Sequence, residues 1–263
     1  MNDRPIGIFD SGVGGLTVFR EIARVLPRES LTYLGDSARV PYGTKSAETI
    51  IRYARQAAKH LVDRGVKLLV VACNTATAAA LPMLERELTI PVIGVIEPGA
   101  RAAAARTAGH VGVIATEGTV RSGAYGNAIR AARPGTEVVE AACPLFVSLA
   151  EEGWANTYVA RQVAEIYLKP LIDRGIDTLV LGCTHYPILR ATIETVVGEE
   201  IAIVDSAETT AQTVRSKLLA IKEQAGGSSP VQHFLVTDAE ERFQRIAGQF
   251  LEQEIGSLEL VEL

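Results

Sequence analysis

Leu68-Leu69-Val70-Val71-Ala72-Cys73-Asn74-Thr75 and Thr178-Leu179-Val180-Leu181-Gly182-Cys183-Thr184-His185 decide how this 263-residue chain folds. Each is a short Val- and Leu-rich run that passes directly into cysteine and then into hydroxyl, amide or imidazole side chains. Similar runs occupy 6–9, 31–34, 92–95, 111–115, 138–141, 201–204 and 234–236. Amphipathic stretches separate them. In Glu48–Arg64, Ile50, Ile51, Ala54, Ala57, Ala58, Leu61 and Val62 share one face at helical spacing. Strands rich in Val, Ile and Leu, each followed by a helix, imply mainly parallel sheets covered on both sides, an α/β fold.

The two cysteine-ended runs lie 110 residues apart, too far for a solenoid repeat and suited to two similar α/β domains. A division near Pro98-Gly99 shares the strands most evenly. The expected arrangement is residues 1–98 with about 208–263 in one domain and 99–207 in the other, with a functional cleft between them. Ala225-Gly226-Gly227-Ser228-Ser229-Pro230 reads as the flexible linker through which the C-terminal segment returns.

Composition narrows the class. The chain is 48% apolar and 22% charged, which excludes disordered and low-complexity classes. A net charge of −5 argues against a nucleic-acid partner. Three cysteines cannot form a disulfide framework, and an odd count suits a reducing compartment. The longest uncharged run, Leu68 to Leu84, contains Asn74, Thr75 and Thr77 and is too short and polar for a membrane span. No basic, apolar leader precedes the first strand, so a cytoplasmic protein with no membrane contact is expected.

Open parallel sheets place ligands at the carboxyl ends of their strands. Four polar clusters fall there: Asp10 to Gly15, Asp36 to Gly43, Cys73-Asn74-Thr75, and Cys183 to Pro187. The glycine loop is a poor dinucleotide site, because Thr17 replaces the third fingerprint glycine and Asp10 would face a pyrophosphate. Its exposed amides remain suited to a carboxylate. Cys73 and Cys183 are the sharper signal. A lone buried cysteine is often only a small apolar residue, but two in matched contexts, each opening a helix that would lower the thiol pKa, point to chemistry. Cys143, before Pro144, reads as structural. Neither Cys-x-x-Cys nor His-x-x-x-His occurs, so no metal is expected. His60, His110 and His233 read as surface or packing residues, whereas His185 shares a strand-end loop with Cys183.

Two thiols from separate halves suit a reaction that needs a base on one face of a carbon and an acid on the other. Inversion of a stereocentre by proton exchange has that requirement. One thiolate removes a Cα proton and the opposite thiol returns one to the other side, in a site that stabilises carbanion character and excludes water. Asp10, Asp36 and His185 are the nearby groups able to hold or relay protons. An acidic amino-acid binding protein could use the same cleft but would have no need for paired thiols.

The motifs Ile8–Thr17, Asp36–Gly43, Ala72–Ala76 and Gly182–Pro187 resemble those of the glutamate racemases, cofactor-independent enzymes of the aspartate/glutamate racemase superfamily. Thr116–Val120, Cys143–Phe146, Glu151-Glu152-Gly153 and Val204-Asp205-Ser206 continue the pattern. The resemblance implies that Cys73 acts on the D-isomer and Cys183 on the L-isomer. It implies Asp10 as assistant to Cys73, His185 as assistant to Cys183, and Asp36 and Glu151 as supporting carboxylates. Ser11, Tyr42, Gly43, Asn74, Thr75, Thr184 and His185 would hold glutamate, Asp10 would border it, and Thr116 and Thr119 would form pocket wall. It further implies no cofactor, a homodimer, and a product, D-glutamate, that feeds peptidoglycan synthesis in bacteria. Racemisation of aspartate or another amino acid is the neighbouring alternative. Ser148 stands where the family commonly has proline, and the short N-terminus implies no activation by a cell-wall precursor. Three of the four main motifs lack Arg and Lys, and the fourth contributes only Arg39. Recognition of the substrate carboxylates by backbone amides and neutral donors is therefore expected.

Overall fold

The computed structural model describes residues 2–226 and 229–263, so Gly227 and Ser228 of the expected linker lie outside the described residues. Strand and helix alternate from the start: β1 (Ile6–Asp10), α1 (Leu16–Val25), β2 (Leu31–Gly35), α2 (Ala47–Asp63), β3 (Leu68–Val71), α3 (Asn74–Glu87), β4 (Val92–Gly94) and α4 (Ile96–Arg106). There follow β5 (His110–Ala115), α5 (Glu117–Ser122), α6 (Ala124–Ala132), β6 (Glu137–Ala142), α7 (Leu145–Glu151), α8 (Tyr158–Ile172), β7 (Thr178–Gly182), α9 (Arg190–Val197) and β8 (Ala202–Asp205). The chain closes with α10 (Ser206–Ile221), β9 (Gln232–Val236), α11 (Glu240–Leu251) and β10 (Leu258–Leu260).

Two sheets result, one ordered β10-β9-β2-β1-β3-β4 and the other β6-β5-β7-β8, with all neighbouring strands parallel. All residues of β1, β2, β3 and β7 are buried, as sheets covered by helices on both faces require. The helices form where the apolar stripe permits. In α2 the buried face is Ile50, Ala54, Ala57, Ala58 and Leu61, Ser46 caps the first turn by accepting from the Thr49 amide, and the chain leaves through Gly65 at φ 80°.

Strand order fixes where a ligand site must lie. In the first sheet the chain moves from β1 to β2 on one side and then to β3 on the other, so the connections leaving β1 and β3 diverge. The same reversal occurs between β5 and β7 in the second sheet. Each pair is a topological switch point, with a crevice outside its carboxyl ends. Asp10 ends β1 and Cys73 follows β3; Thr116 follows β5 and Cys183 follows β7.

Three local readings differ from expectation. The chain after Cys183 does not pass straight into an α-helix: Tyr186–Leu189 is a single 3-10 turn and α9 starts at Arg190. Pro187 at the start of that turn lacks an amide hydrogen and shifts the helix onset. His233 lies within β9, not beside it. The short edge strand β10 has no counterpart among the runs read from the sequence, because Leu258-Glu259-Leu260 has three residues and takes its pairing from β9.

Candidate active site

The two crevices meet in one enclosed cavity of about 40 Å³. That space holds a few waters and no amino acid. Ser11, Tyr42, Gly43, Cys73, Asn74, Thr75, Thr116, Cys183, Thr184 and His185 line it, together with Val40, Pro41 and Val147. The lining contains no lysine or arginine, so a bound anion there relies on neutral donors, backbone amides and His185.

Cys73 caps α3 with its own sulfur, which accepts from the Ala76 amide at 3.5 Å, while the thiol donates to Ser11 Oγ at 3.5 Å. Against expectation, the thiol pKa is pushed up, to about 12, first by burial and then by the charge of Asp10. A helix start contributes only about 0.3–1 kcal/mol, whereas full burial shifts a group by up to roughly 3–5 pKa units. Asp10 is itself fully buried, and burial raises its carboxyl above the ordinary aspartate range despite the opposing charge of His185 and the amides of Gly12, Gly15 and Ser11. Its Oδ2 accepts from the Gly12 amide at 2.9 Å, and Oδ1 has no hydrogen-bond partner among the described residues. The glycine loop thus turns its amides toward a carboxylate of its own chain. Gly14 serves close approach instead: a Cβ there would fall 2.4 Å from both His185 Nδ1 and Thr184 Oγ1.

On the opposite side His185 Nδ1 lies 3.9 Å from Cys183 Sγ, and Nε2 lies 3.0 Å from Glu151 Oε1. Burial alone would lower the imidazole pKa, but Cys183 and Glu151 outweigh it and raise it to about 10. Glu151 is held below the usual carboxylate range: burial opposes this, and His185 and Arg242 together overcome it. Arg242 Nη2 donates to Glu151 Oε2 at 2.7 Å. The array runs from sulfur to imidazole to carboxylate to guanidinium, and its last member comes from α11. Helix α7 continues unbroken through Ser148 to end on Glu151.

Asp36 is fully buried but does not line the cavity. Arg39 Nε donates to its two oxygens at 2.9 and 2.7 Å, Tyr42 donates to Oδ2, and Thr237 Oγ1 lies 3.0 Å from Oδ1. It therefore locks the Ser37–Thr44 segment and aims Tyr42. The Arg39 guanidinium is spent on Asp36, on Gln56 and on the Tyr53 ring 4.3 Å away. Thr75, Thr116 and Thr119 form a hydroxyl triangle with separations of 2.8, 3.2 and 3.1 Å across the two halves, Thr119 standing behind the other two.

The profile of the Asp/Glu/Hydantoin racemase family matches residues 6–214. The glutamate racemase of Geobacter metallireducens is 54% identical over 266 aligned residues, 99% of this chain and 97% of that one. The chain belongs to the Asp/Glu/hydantoin racemase family, among its glutamate racemases. The crystal structure of glutamate racemase isoform RacE1 from Bacillus anthracis superposes with a TM-score of 0.96 at 42% identity, covering 100% of this chain and 99% of that one. A second, from Francisella tularensis in complex with D-glutamate, gives 0.94 at 40% identity, with 100% and 98% covered.

Within this racemase frame, the expected site residues divide into groups. Ten line the cavity; Asp10 lies behind Cys73, Glu151 behind His185, and Asp36 and Thr119 behind the wall. Sequence reasoning missed Val40, Pro41 and Val147 as lining and Arg242 as a partner of Glu151. Apolar wall residues carry no chemical signature, and Arg242 sits 91 residues from Glu151 with no local motif to mark it. Among the described residues no cluster of three potential metal ligands occurs, and no helix is long and apolar enough to cross a membrane.

Proposed function

We propose that this racemase interconverts L- and D-glutamate by two-base proton transfer at Cα, with Cys183 acting on the L-isomer and Cys73 on the D-isomer. The observation that carries this reading is the placement of two cysteines, from β3 and β7, on one enclosed cavity with unlike surroundings. Cys73 is held as a protonated thiol, ready to act as an acid. Cys183 has beside its sulfur, 3.9 Å from Nδ1, the imidazole of His185, whose pKa is raised to about 10.

L-Glutamate enters with its Cα–H toward Cys183. The Cys183 thiolate takes that proton, and the electron pair left at Cα delocalises into the α-carboxylate, held by donors from Ser11, Asn74, Thr75 and Thr184. The Cys73 thiol returns a proton to the opposite face, which yields D-glutamate, a Cys183 thiol and a Cys73 thiolate. The reverse reaction starts from that second state. Asp10 couples to the exchange through charge: when its raised carboxyl takes up a proton, the repulsion on a Cys73 thiolate disappears. Glu151 keeps His185 charged, and Asp36 acts through Tyr42. A cavity without lysine or arginine avoids cations that would favour ionising both thiols together.

The D-glutamate complex of the Francisella relative supports glutamate as the substrate, and D-glutamate is the building block that bacterial peptidoglycan synthesis consumes. The two catalytic halves are residues 1–98 with about 208–263, and 99–207. The working form is a cytoplasmic homodimer, which light scattering coupled to size exclusion checks. Proton NMR of each glutamate isomer in D2O, with chelator and no added cofactor, tests the chemistry. Both should lose the Cα–H signal and yield the opposite isomer. Exchange with aspartate alone moves the substrate assignment, and binding without any exchange replaces the enzyme with a binding protein.

A further inference from the structure

Tyr125, on α6, is fully buried and makes no contact with the cavity, yet it touches the neighbours of both cysteines. Its hydroxyl donates to Asn74 Oδ1 at 2.7 Å. Its ring is accommodated between two glycines: a Cβ on Gly182 would stand 3.0 Å from Cε2, and one on Gly99 would stand 3.4 Å from Cε1 and from the hydroxyl. Asn74 follows Cys73 and Gly182 precedes Cys183, so one side chain joins the two loops that carry the thiols.

Asn74 has two chemically opposite ends, and its conformation decides which one a ligand meets. With Oδ1 occupied by the phenol, the nitrogen Nδ2 is buried and has no hydrogen-bond partner among the described residues, although Asn74 lines the cavity. A buried N–H donor without a partner is costly and accounts for itself when a ligand supplies the acceptor. Burial raises the Tyr125 phenol pKa well above its ordinary value, so the hydroxyl remains a donor and can satisfy the amide oxygen throughout the working range. In a lining without lysine or arginine, each correctly turned neutral donor matters for binding a dicarboxylate.

We propose that Tyr125 is a positioning residue for substrate recognition: it fixes the Asn74 amide with its nitrogen turned to the cavity as a donor to a substrate carboxylate. This rests on the glutamate reading above. Because the role is exerted through Asn74 in holding the ligand, Tyr125→Phe is expected to raise KM and the calorimetric Kd for glutamate about three- to tenfold. The same substitution made in an Asn74→Ala background should add nothing further, since the group it orients is gone. Equal KM increases in the two backgrounds, or no increase in the single variant, would overturn the assignment. Should Tyr125→Phe fail to fold, Asn74→Asp decides: with the phenol on one oxygen, the other faces the substrate carboxylate and KM and Kd rise more than tenfold. Values within twofold of wild type would mean that the oxygen faces the cavity. Turnover of glutamate by the wild-type protein tests the underlying reading separately, and the Kd comparison stands whether or not turnover is seen.

Discussion

At Cys73 and His185 the same low-dielectric surroundings have opposite outcomes, because only one of them has a compensating charge. Burial and a neighbouring carboxylate keep the Cys73 thiol protonated, whereas Cys183 and Glu151 keep a buried imidazole charged to about pH 10. General acid–base groups supply about 10²–10⁴-fold in rate. Cys73→Ser and Cys183→Ser should each lower Cα exchange by that order, while calorimetric binding of glutamate stays within a few-fold. Loss of binding in step with exchange would mean that the thiols hold the ligand and do not transfer protons. The imidazole also has a signature in stability. Its native pKa of about 10 lies above the ordinary 6.5, so its contribution is full below pH 6.5 and disappears as pH rises through 10. The difference in urea midpoint between wild type and His185→Asn should shrink over that interval. A difference independent of pH would contradict a charged His185.

Elements are held in place by a few contacts that tolerate little change. The β1–α1 loop packs Gly14 against Thr184 and His185 so closely that a methyl group at that position has no room. Overpacking of this kind costs about 1–3 kcal/mol. Gly14→Ala should therefore lower the denaturation midpoint and, by displacing His185, lower kcat as well; an unchanged kcat would show that the loop, and not the imidazole, gives way. On the far side of the first sheet, Lys67 Nζ donates to Glu29 Oε2 at 2.6 Å and to the carbonyls of Asn2 and Glu223 at 2.6 and 2.8 Å, with both charged side chains buried. This knot fastens the N-terminal segment and the chain after α10 to the start of β3. Lys67→Met leaves Glu29 buried without its partner and is expected to cost about 3–5 kcal/mol in urea unfolding, with racemisation of the folded fraction unaffected.

For the whole molecule, the decisive quantity is the size of the shared cavity. At about 40 Å³ it is too small for glutamate, and hydrogen bonds around and behind its wall tie the two halves together. Thr17 donates to the Thr184 carbonyl at 2.9 Å, Thr75 meets Thr116 at 2.8 Å, Tyr125 meets Asn74 and Arg242 meets Glu151. Substrate entry is therefore expected to draw the halves apart. Amide hydrogen exchange at 116–119 and 183–186 should slow when D-glutamate is added, with the core of β3 and β7 unaffected. Equal exchange with and without ligand would place the entry path elsewhere.

The alternation of apolar runs with amphipathic helices, the two matched strand-to-cysteine junctions and the polar clusters at strand ends were legible in the sequence, because strand burial and helix amphipathicity are properties of neighbouring residues. They determined a parallel α/β fold and drew attention to Cys73, Cys183 and the loops around them. Asp10 and Asp36 were legible as candidates at their strand ends, but Glu151 became visible only through the resemblance, and only the fold shows Asp36 bonded to Tyr42 and Glu151 to His185 behind the cavity wall. What tertiary structure alone decided is the meeting of groups remote in the chain: Arg242 with Glu151, Tyr125 with Asn74, and a cavity wall of Val40, Pro41 and Val147. It also decided the charge state of the thiol at Cys73. A helix start argues locally for a lowered pKa, but the pKa is set by the water that the folded molecule removes and by the carboxylate it brings near, and neither is encoded in adjacent residues.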